Sequence, residues 1–396
     1  VFKEHPQALQ DLIAGDSVAK VAARYGVKAQ RVTSGWKYYR GKVGPRKDDA
    51  PPADPEATSE ARRAAADEQR RKEIDRLRRE LAKAGGRIEE LEKFLDRYAS
   101  IKPADMKVPT WLRPKARKSR THHATPVLML SDLHLDEVVE LAEMDGLNEY
   151  NRKIAQERLN TVINNVCELL RTYVAGVEID GIVVAIIGDI ITGAIHEELA
   201  DTNESPVPAT IVHWVPILAS ALVRLADEFG HVFVPCVDGN HDRTTKKTRK
   251  KKRAESSNAW IIYNWLADTL RHDNRITFSI TPSPEQVVNV YGTTFLLSHG
   301  DSFRSAGGVG GLYPALLKWL LRRKDLYSQK GTPFDYALIG HWHQLLWGRD
   351  FVVNGSLKGY DEYAKDGGFG FERPQQALFI VSPENGIVQR MPVFAD

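Results

Sequence analysis

Residues 231–242 read HVFVPCVDGNHD: an apolar run over 232–237, then a short polar tip carrying Asn240, His241 and Asp242. The same grammar recurs along the second half of the chain. Apolar residues 127–130 lead to Asp132 and His134, and 182–187 lead to Asp189. Residues 295–297 lead to His299, and 336–339 to His341 and His343. Short apolar runs bounded by glycine and polar residues fit buried strands, and the helix-like stretches between them predict alternating β and α elements with a largely parallel sheet. Ligands of such sheets gather at the carboxyl ends of the strands. Any one of these pairs is a common accident. Five strand tips bearing metal-competent side chains, in order, are not explained by packing.

The candidate ligands are Asp132, His134, Asp189, Asn240, His299, His341 and His343. They offer carboxylate, imidazole and one amide, without thiolate, which suits Mn²⁺ foremost, with Fe or Zn²⁺ as alternatives. Seven groups exceed what one ion needs with a position open for substrate. They divide between two divalent ions if one carboxylate bridges. Two such ions, about 3.5–4 Å apart, can hold a hydroxide nucleophile and neutralise a phosphoryl oxygen during in-line displacement. The expectation is a dinuclear metallohydrolase.

The series Asp132-x-His134, Gly188-Asp189, Gly239-Asn240-His241-Asp242, His299-Gly300 and Gly340-His341-x-His343 resembles the motif set of calcineurin-like metallophosphoesterases over about residues 125–396. Within that superfamily its texture is similar to phage-encoded members and, more distantly, to nuclease subunits of DNA repair. The resemblance implies a four-layer α-β-β-α sandwich. It implies one ion on Asp132, His134, Asp189 and His343, and a second on Asp189, Asn240, His299 and His341, with Asp189 bridging. It also implies that His241 protonates the leaving oxygen, with Asp242 as its orienting partner. Val353-Asn354-Gly355-Ser356 resembles the turn after the last histidine motif, though without its proline. GDIITG lacks the Asp-Arg that follows the bridging carboxylate in protein phosphatases of the superfamily, which weakens a specialised phosphomonoesterase reading.

Outward from this domain, the first hundred residues are different in kind. Residues 1–43 predict three short helices broken at Gly15-Asp16 and Gly26-Val27, and the second pair resembles a helix-turn-helix, with Arg31, Lys37 and Arg40 placed to meet phosphates and Gln30, Thr33 or Ser34 to face base edges. Residues 44–58 are a proline-rich linker. Over 59–100, Ile74, Leu77, Leu81, Ala84, Ile88, Leu91, Leu95 and Tyr98 recur at alternating spacings of three and four, the seam of a coiled coil that would make a homodimer or higher homo-oligomer. Gly85-Gly86 lies within it, and the competing form is a helix, or a helical hairpin broken at those glycines, packed on its own domain. Residues 101–124 read as a basic connector in which Lys115, Arg117, Lys118 and Arg120 precede a solvated His122-His123 pair.

The 396 residues hold Lys+Arg 55 against Asp+Glu 52, a net charge of +3 that names no partner by itself. Position matters more. Lys246, Lys247, Arg249, Lys250, Lys251, Lys252 and Arg253 follow directly on the Asn240-His241 tip, where a loop can track a polyanion beside the metals; Arg322, Arg323 and Lys324 are placed to add to that face. His196, Glu197 and Glu198 are candidates to support the ligands, and Gly307, Gly308, Gly310 and Gly311 suggest a lid or a spacer. The hairpin around Pro383-Glu384-Asn385-Gly386 is expected to complete the second sheet. Two isolated cysteines argue for a reducing compartment, and the apolar stretches are broken by Asp189 or by His213, Pro216 and Arg224, so a cytoplasmic protein without a membrane span is expected, in a bacterial host if phage-encoded. The reading is a DNA-directed phosphodiesterase or nuclease. Its rivals are a phosphomonoesterase or cyclic-nucleotide phosphodiesterase with incidental basic segments, and a DNA-binding adaptor with a vestigial hydrolase domain.

Overall fold

A computed structural model of the chain describes residues 5–43, 55–100, 109–112, 122–304 and 311–396, with backbone alone at 38–43, 55–66, 69, 90–91 and 94–100. Two compact units result, Val1–Arg87 and Ile88–Asp396. In the first, α1 (Pro6–Ile13), α2 (Val18–Arg24) and α3 (Ala29–Val43) enclose a small core of Ala8, Leu12, Val21, Ala22 and Val32. Ser17 caps α2 by accepting the Lys20 N–H, and Gly26, at φ +64°, makes the turn that a side chain would strain. The linker expected over 44–58 lies outside the described residues up to 54 and is already helical from Pro55, where α4 (Pro55–Ser100) begins. This helix runs unbroken through Gly85-Gly86, so the hairpin alternative does not form. Ile74, Leu77, Leu81 and Ile88 are 48%, 53%, 74% and 55% exposed along it, and the side chains of Leu91, Leu95 and Tyr98 lie outside the described set.

The second unit opens with β1 (His122–His123) and β2 (Thr125–Leu130), then α5 (Arg152–Thr172), β3 (Val177–Glu178), β4 (Ile182–Ile187), α6 (Glu197–Thr202), α7 (Val207–Phe229), β5 (Val232–Val237), α8 (Asn258–Thr269) and β6 (Ile276–Ile280). It continues through β7 (Glu285–Val290), β8 (Thr293–Ser298), α9 (Tyr313–Gln329), β9 (Tyr336–Ile339), β10 (Leu346–Trp347), β11 (Phe351–Val353), α10 (Glu362–Asp366), β12 (Gln375–Ser382) and β13 (Gly386–Phe394). One sheet has the order β13-β12-β2-β4-β5-β6, with β2, β4, β5 and β6 parallel; the other runs β10-β11-β9-β8-β7. Alternation along the strands sorts the layers. Leu128, Val184 and Val234 face α5, α7 and α8, whereas Val127, Val183 and Phe233 face Phe295, Leu297 and Leu338 of the second sheet. That sheet's other side, with Leu296, Ala337 and Ile339, packs on Leu316, Trp319 and Leu320 of α9. The layers are therefore helices, sheet, sheet, helix.

Two expectations need correcting. The C-terminal hairpin forms at its Asn-Gly turn, but β12 pairs antiparallel with β2 and so extends the first sheet, not the second. Its residues Ala377, Phe379 and Val381 supply part of the inter-sheet core, which its sequence position could not disclose. His122-His123 is not a free linker pair: it forms β1, paired parallel with β3, and His123 lies near Glu178 and Asp180. The four cations of the expected connector, Lys115, Arg117, Lys118 and Arg120, lie outside the described residues. Helix α7 is long and apolar enough by length and composition to cross a membrane, yet half of that stretch is buried in this unit, with Trp214, Leu218 and Leu222 in its core.

Candidate metal centre

Strands β2, β4, β5, β8 and β9 deliver the predicted ligands to one end of the sandwich, because each strand stops where its apolar run stops. The turns are backbone-strained. Asp132, His134, Asp189, His341 and His343 all have positive φ, between 47° and 71°, five of the nine non-glycine residues with that geometry among the described residues. L-residues hold this conformation at a cost of order 1–3 kcal/mol, and such strain gathers where function fixes a side chain. Gly188 and Gly239 make the arrangement possible. A Cβ on Gly239 would stand 2.1 Å from Asp189 Oδ1, and one on Gly188 2.3 Å from the Gly239 nitrogen.

Asp132, His134 and His343 converge, and Asp189, His299 and His341 converge beside them. His134 Nε2 is 3.1 Å from His343 Nε2, which is 3.5 Å from Asp132 Oδ1. Asp189 Oδ2 is 4.0 Å from His134 Nε2 and 2.9 Å from His299 Nε2, which is itself 3.1 Å from Asn240 Oδ1. These are separations that donors about 2.0–2.2 Å from a shared cation adopt. The protonation pattern agrees. His299 Nδ1 donates to the Ile187 carbonyl at 2.8 Å, so Nε2 directs a lone pair at two oxygens that themselves only accept. Something positive must lie between them. Burial opposes it, but the Asp189 carboxylate drives the His299 imidazole up to about 10, so that without metal a proton fills that place. Asp189 Oδ2 is buried, and His299 Nε2 is the one donor within hydrogen-bond reach of it among the described residues. The donor set and this shared oxygen fit divalent metal.

Asp132 and Asp189 stand ionised and His134 and His341 neutral, the forms that metal binding needs. Against the effect of burial, His343 and His299 hold Asp132 below the usual range, and His299 and His241 hold Asp189 well below it. Burial lowers His134 and pushes His341 down to about 4. Behind the ligands is a polar layer that local sequence does not announce. Ser131 Oγ donates to Asp132 Oδ2, Asn354 Nδ2 donates to Ser131 Oγ at 2.9 Å, and Ser356 Oγ donates to the Asp132 carbonyl at 3.0 Å. The Asn354-Gly355-Ser356 turn is thus the buttress of Asp132. Glu137 Oε2 lies 3.0 Å from His134 Nδ1, and buried Lys358 bridges Glu137 at 2.7 Å and Asp361 at 2.5 Å. Although burial opposes it, Lys358 holds Glu137 well below its usual range. Only the Ser-containing turn had left a trace in the sequence.

His241 and Asp242 separate in role. Asp242 Oδ2 accepts the Asp189 N–H at 2.8 Å and the Gly239 N–H at 3.0 Å, tying two strand-end turns together, and it does not orient the His241 ring. That task falls to the Thr192 carbonyl, which accepts from His241 Nδ1 at 3.0 Å. The backbone N–H of His241 donates to Asp189 Oδ1 at 2.7 Å. Burial pulls His241 down to about 3, so the ring is neutral at rest and keeps a lone pair on Nε2. Burial, and then Asp189, pushes Asp242 up to about 7.

Of the cations after this tip, Lys247, Arg249, Lys250, Lys251 and Lys252 are exposed and make no ion pair among the described residues. Lys246 pairs with Glu197 of α6. Arg253 is a correction: it is committed to Asp238 at 2.7 Å and Asp301 at 2.9 Å, which makes it a structural residue. Arg323 and Lys324 are likewise engaged by Glu285 and Asp350 on the α9 side of the second sheet and add nothing to the basic loop. In the N-terminal unit Arg31 and Lys37 are exposed on α3, and the side chain of Arg40 lies outside the described set. The metal centre floors a cavity of about 520 Å³ that His196, Glu198, Trp342, Lys358, Tyr363 and Phe369 also line. Gly307, Gly308 and Gly310 lie outside the described residues; Gly311 lines the cavity.

No family model matches the chain, and no curated protein matches it. Among solved structures it is similar to wild-type Vps29 complexed with Zn²⁺ from Entamoeba histolytica, at 16% identity over 68% of this chain and 99% of that one, with a TM-score of 0.25. It is also similar to the Thermotoga maritima protein TM1076, at 13% identity over 68% and 99% of the two chains, with a TM-score of 0.24. At these values neither likeness bears on what the chain does. The geometry has to carry that.

Proposed function

We propose that the chain is a dinuclear metal-dependent phosphodiesterase of calcineurin-like metallophosphoesterase type that acts on DNA. The observation that carries the reading is the shared Asp189 Oδ2, buried between two converging ligand sets, 2.9 Å from His299 Nε2 and 4.0 Å from His134 Nε2. Asp132, His134, Asp189 and His343 would hold one divalent ion, and Asp189, Asn240, His299 and His341 the other, with Mn²⁺ the first choice and Fe or Zn²⁺ also suited to the donors. Bound there, two divalent ions supply Lewis-acid stabilisation of a phosphoryl oxygen and a nucleophile at neutral pH. The chain's own residues do the rest. Thr192 fixes the His241 ring through Nδ1, so that Nε2 would take a proton from water and pass it to the departing oxygen. The ring is neutral at rest, so it works as a relay and not as a preloaded acid. Glu137 and Lys358 hold His134 in place, and the Asn354 turn holds Asp132.

A DNA substrate is supported by the unpaired cations of 247–252 beside the Asn240-His241 tip and by Gln30, Arg31, Ser34 and Lys37, exposed on the helix that follows the Gly26 turn. The α4 seam supports self-association. The test is turnover by the Mn²⁺-loaded protein of duplex and single-stranded DNA, bis-p-nitrophenyl phosphate and mono-p-nitrophenyl phosphate. Diesters and DNA should be cleaved and the monoester barely touched. Preference for the monoester, with DNA intact, would overturn the reading.

A further inference from the structure

The cavity has an aromatic rim that metal chemistry does not require. Between Tyr360 and Phe371 the chain carries Tyr360, Tyr363, Phe369 and Phe371, and the first three of these line the cavity with Trp342. Tyr363 is 78% exposed, more than any other large hydrophobic residue among the described ones, and Phe369 is 43% exposed. The segment is anchored. Asp361 caps α10 by accepting the Ala364 N–H at 2.8 Å, Lys365 pairs with Asp145 at 2.7 Å, and Tyr360 packs edge-on against Phe371. Tyr363 and Phe369 stand beside each other, 6.1 Å apart and tilted by 33°. These rings are held by one another and by the anchored segment, yet Tyr363 and Phe369 leave much of their surface open to solvent where they line the cavity.

Charge complementarity identifies the occupant. Asn240 lines this cavity and also a neighbouring pocket that Arg249 lines, and Lys246 joins Glu197 on α6 next to Glu198 of the cavity wall, so the cationic loop 247–252 starts beside the cavity. A ligand spanning both must offer regularly spaced negative charge and flat apolar faces. A single-stranded polynucleotide has both, whereas a duplex keeps its bases stacked on one another.

We infer that this rim is a stacking platform for unpaired nucleobases, and that the substrate reaches the metal centre as a single strand. The inference rests on the phosphodiesterase reading for the identity of the bound chain, and its test does not use turnover. Fluorescence anisotropy in EDTA would compare the full-length protein's binding of a labelled single-stranded 20-mer, an abasic 20-mer of equal charge, and a duplex of the same sequence. The base-containing strand should bind about 5- to 150-fold more tightly than the abasic one, for one base stacked. Binding of the duplex, which offers no unpaired base, should be unchanged by Tyr363→Ala/Phe369→Ala. Tyr363→Ala/Phe369→Ala should collapse the ratio towards one, and Tyr363→Phe/Phe369→Tyr, which keeps both rings, should retain it. Thermal unfolding of each variant checks that the fold persists. Equal losses on base-containing and abasic strands, or an unchanged ratio in the alanine variant, would overturn the inference. If the ratio collapses as expected but DNA is never hydrolysed, the platform stands and the catalytic reading falls; hydrolysis without base discrimination gives the converse.

Discussion

At the scale of single residues, the account turns on what each polar side chain touches. The His241 ring is bound through Nδ1 to the Thr192 carbonyl and, although it stands close to His134 and Asp189, it belongs to neither proposed ligand set, so His241→Asn should keep its metal. DNA cleavage should fall by ~10²–10⁴, because a sugar alkoxide needs a proton to depart, while a p-nitrophenyl diester should lose far less. Metal analysis and both rates on one preparation decide the matter; loss of metal with equal loss of both activities would make His241 a ligand. The ligands themselves were legible because polar groups at strand ends have a restricted vocabulary. Their supports were not. Asn354 lies 223 positions from the Ser131 hydroxyl it holds, and Lys358 lies 221 from Glu137. Local pattern carries no information about such partners, and an Asp beside a His, as in His241-Asp242, suggests a pairing that the fold does not make.

Among elements, the junction of β2 with α5 and α7 is held by one carboxylate. Asp136 accepts from Arg152 Nε at 2.9 Å, Thr210 Oγ1 at 2.7 Å and Trp214 Nε1 at 2.8 Å. Burial opposes ionisation, but Arg152, Thr210 and Trp214 hold its folded value below the ordinary one. A depressed folded value means that the stabilisation is complete above the unfolded value of about 3.9 and is lost as pH falls through the folded value. Asp136→Asn should therefore cost roughly 3 kcal/mol near neutrality, seen as a lower urea midpoint, and the gap to wild type should close in acid. A gap independent of pH would place the loss in packing. The basic loop makes a second prediction at this scale. Replacing Lys247, Arg249, Lys250, Lys251 and Lys252 with Gln should weaken duplex binding and flatten its salt dependence by about 0.9 log–log unit per lost phosphate contact, leaving a small diester's turnover nearly unchanged. Equal losses on both would tie the loop to the metal centre. Hairpin and strand identities were readable from turn chemistry and apolar runs. The sheet that β12 joins was not, because its neighbour β2 begins 250 residues earlier.

For the whole molecule, α4 states its need for a partner most plainly. Four large apolar residues follow the three–four spacing of a coiled-coil seam and stand about half or more exposed in the single chain. The full-length protein should sediment as a dimer or higher oligomer, and Leu77→Glu/Leu81→Glu should shift it to monomer without altering the thermal unfolding of the catalytic unit. A wild-type monomer would remove the coiled coil from the account. The central claim remains the shared carboxylate. Metal content per chain, measured after dialysis beside diester turnover, should be near two for wild type, whereas Asp189→Asn should lose metal and essentially all turnover while its circular dichroism and melting show a folded domain. A metal-replete, fully active Asp189→Asn protein would contradict a dinuclear centre.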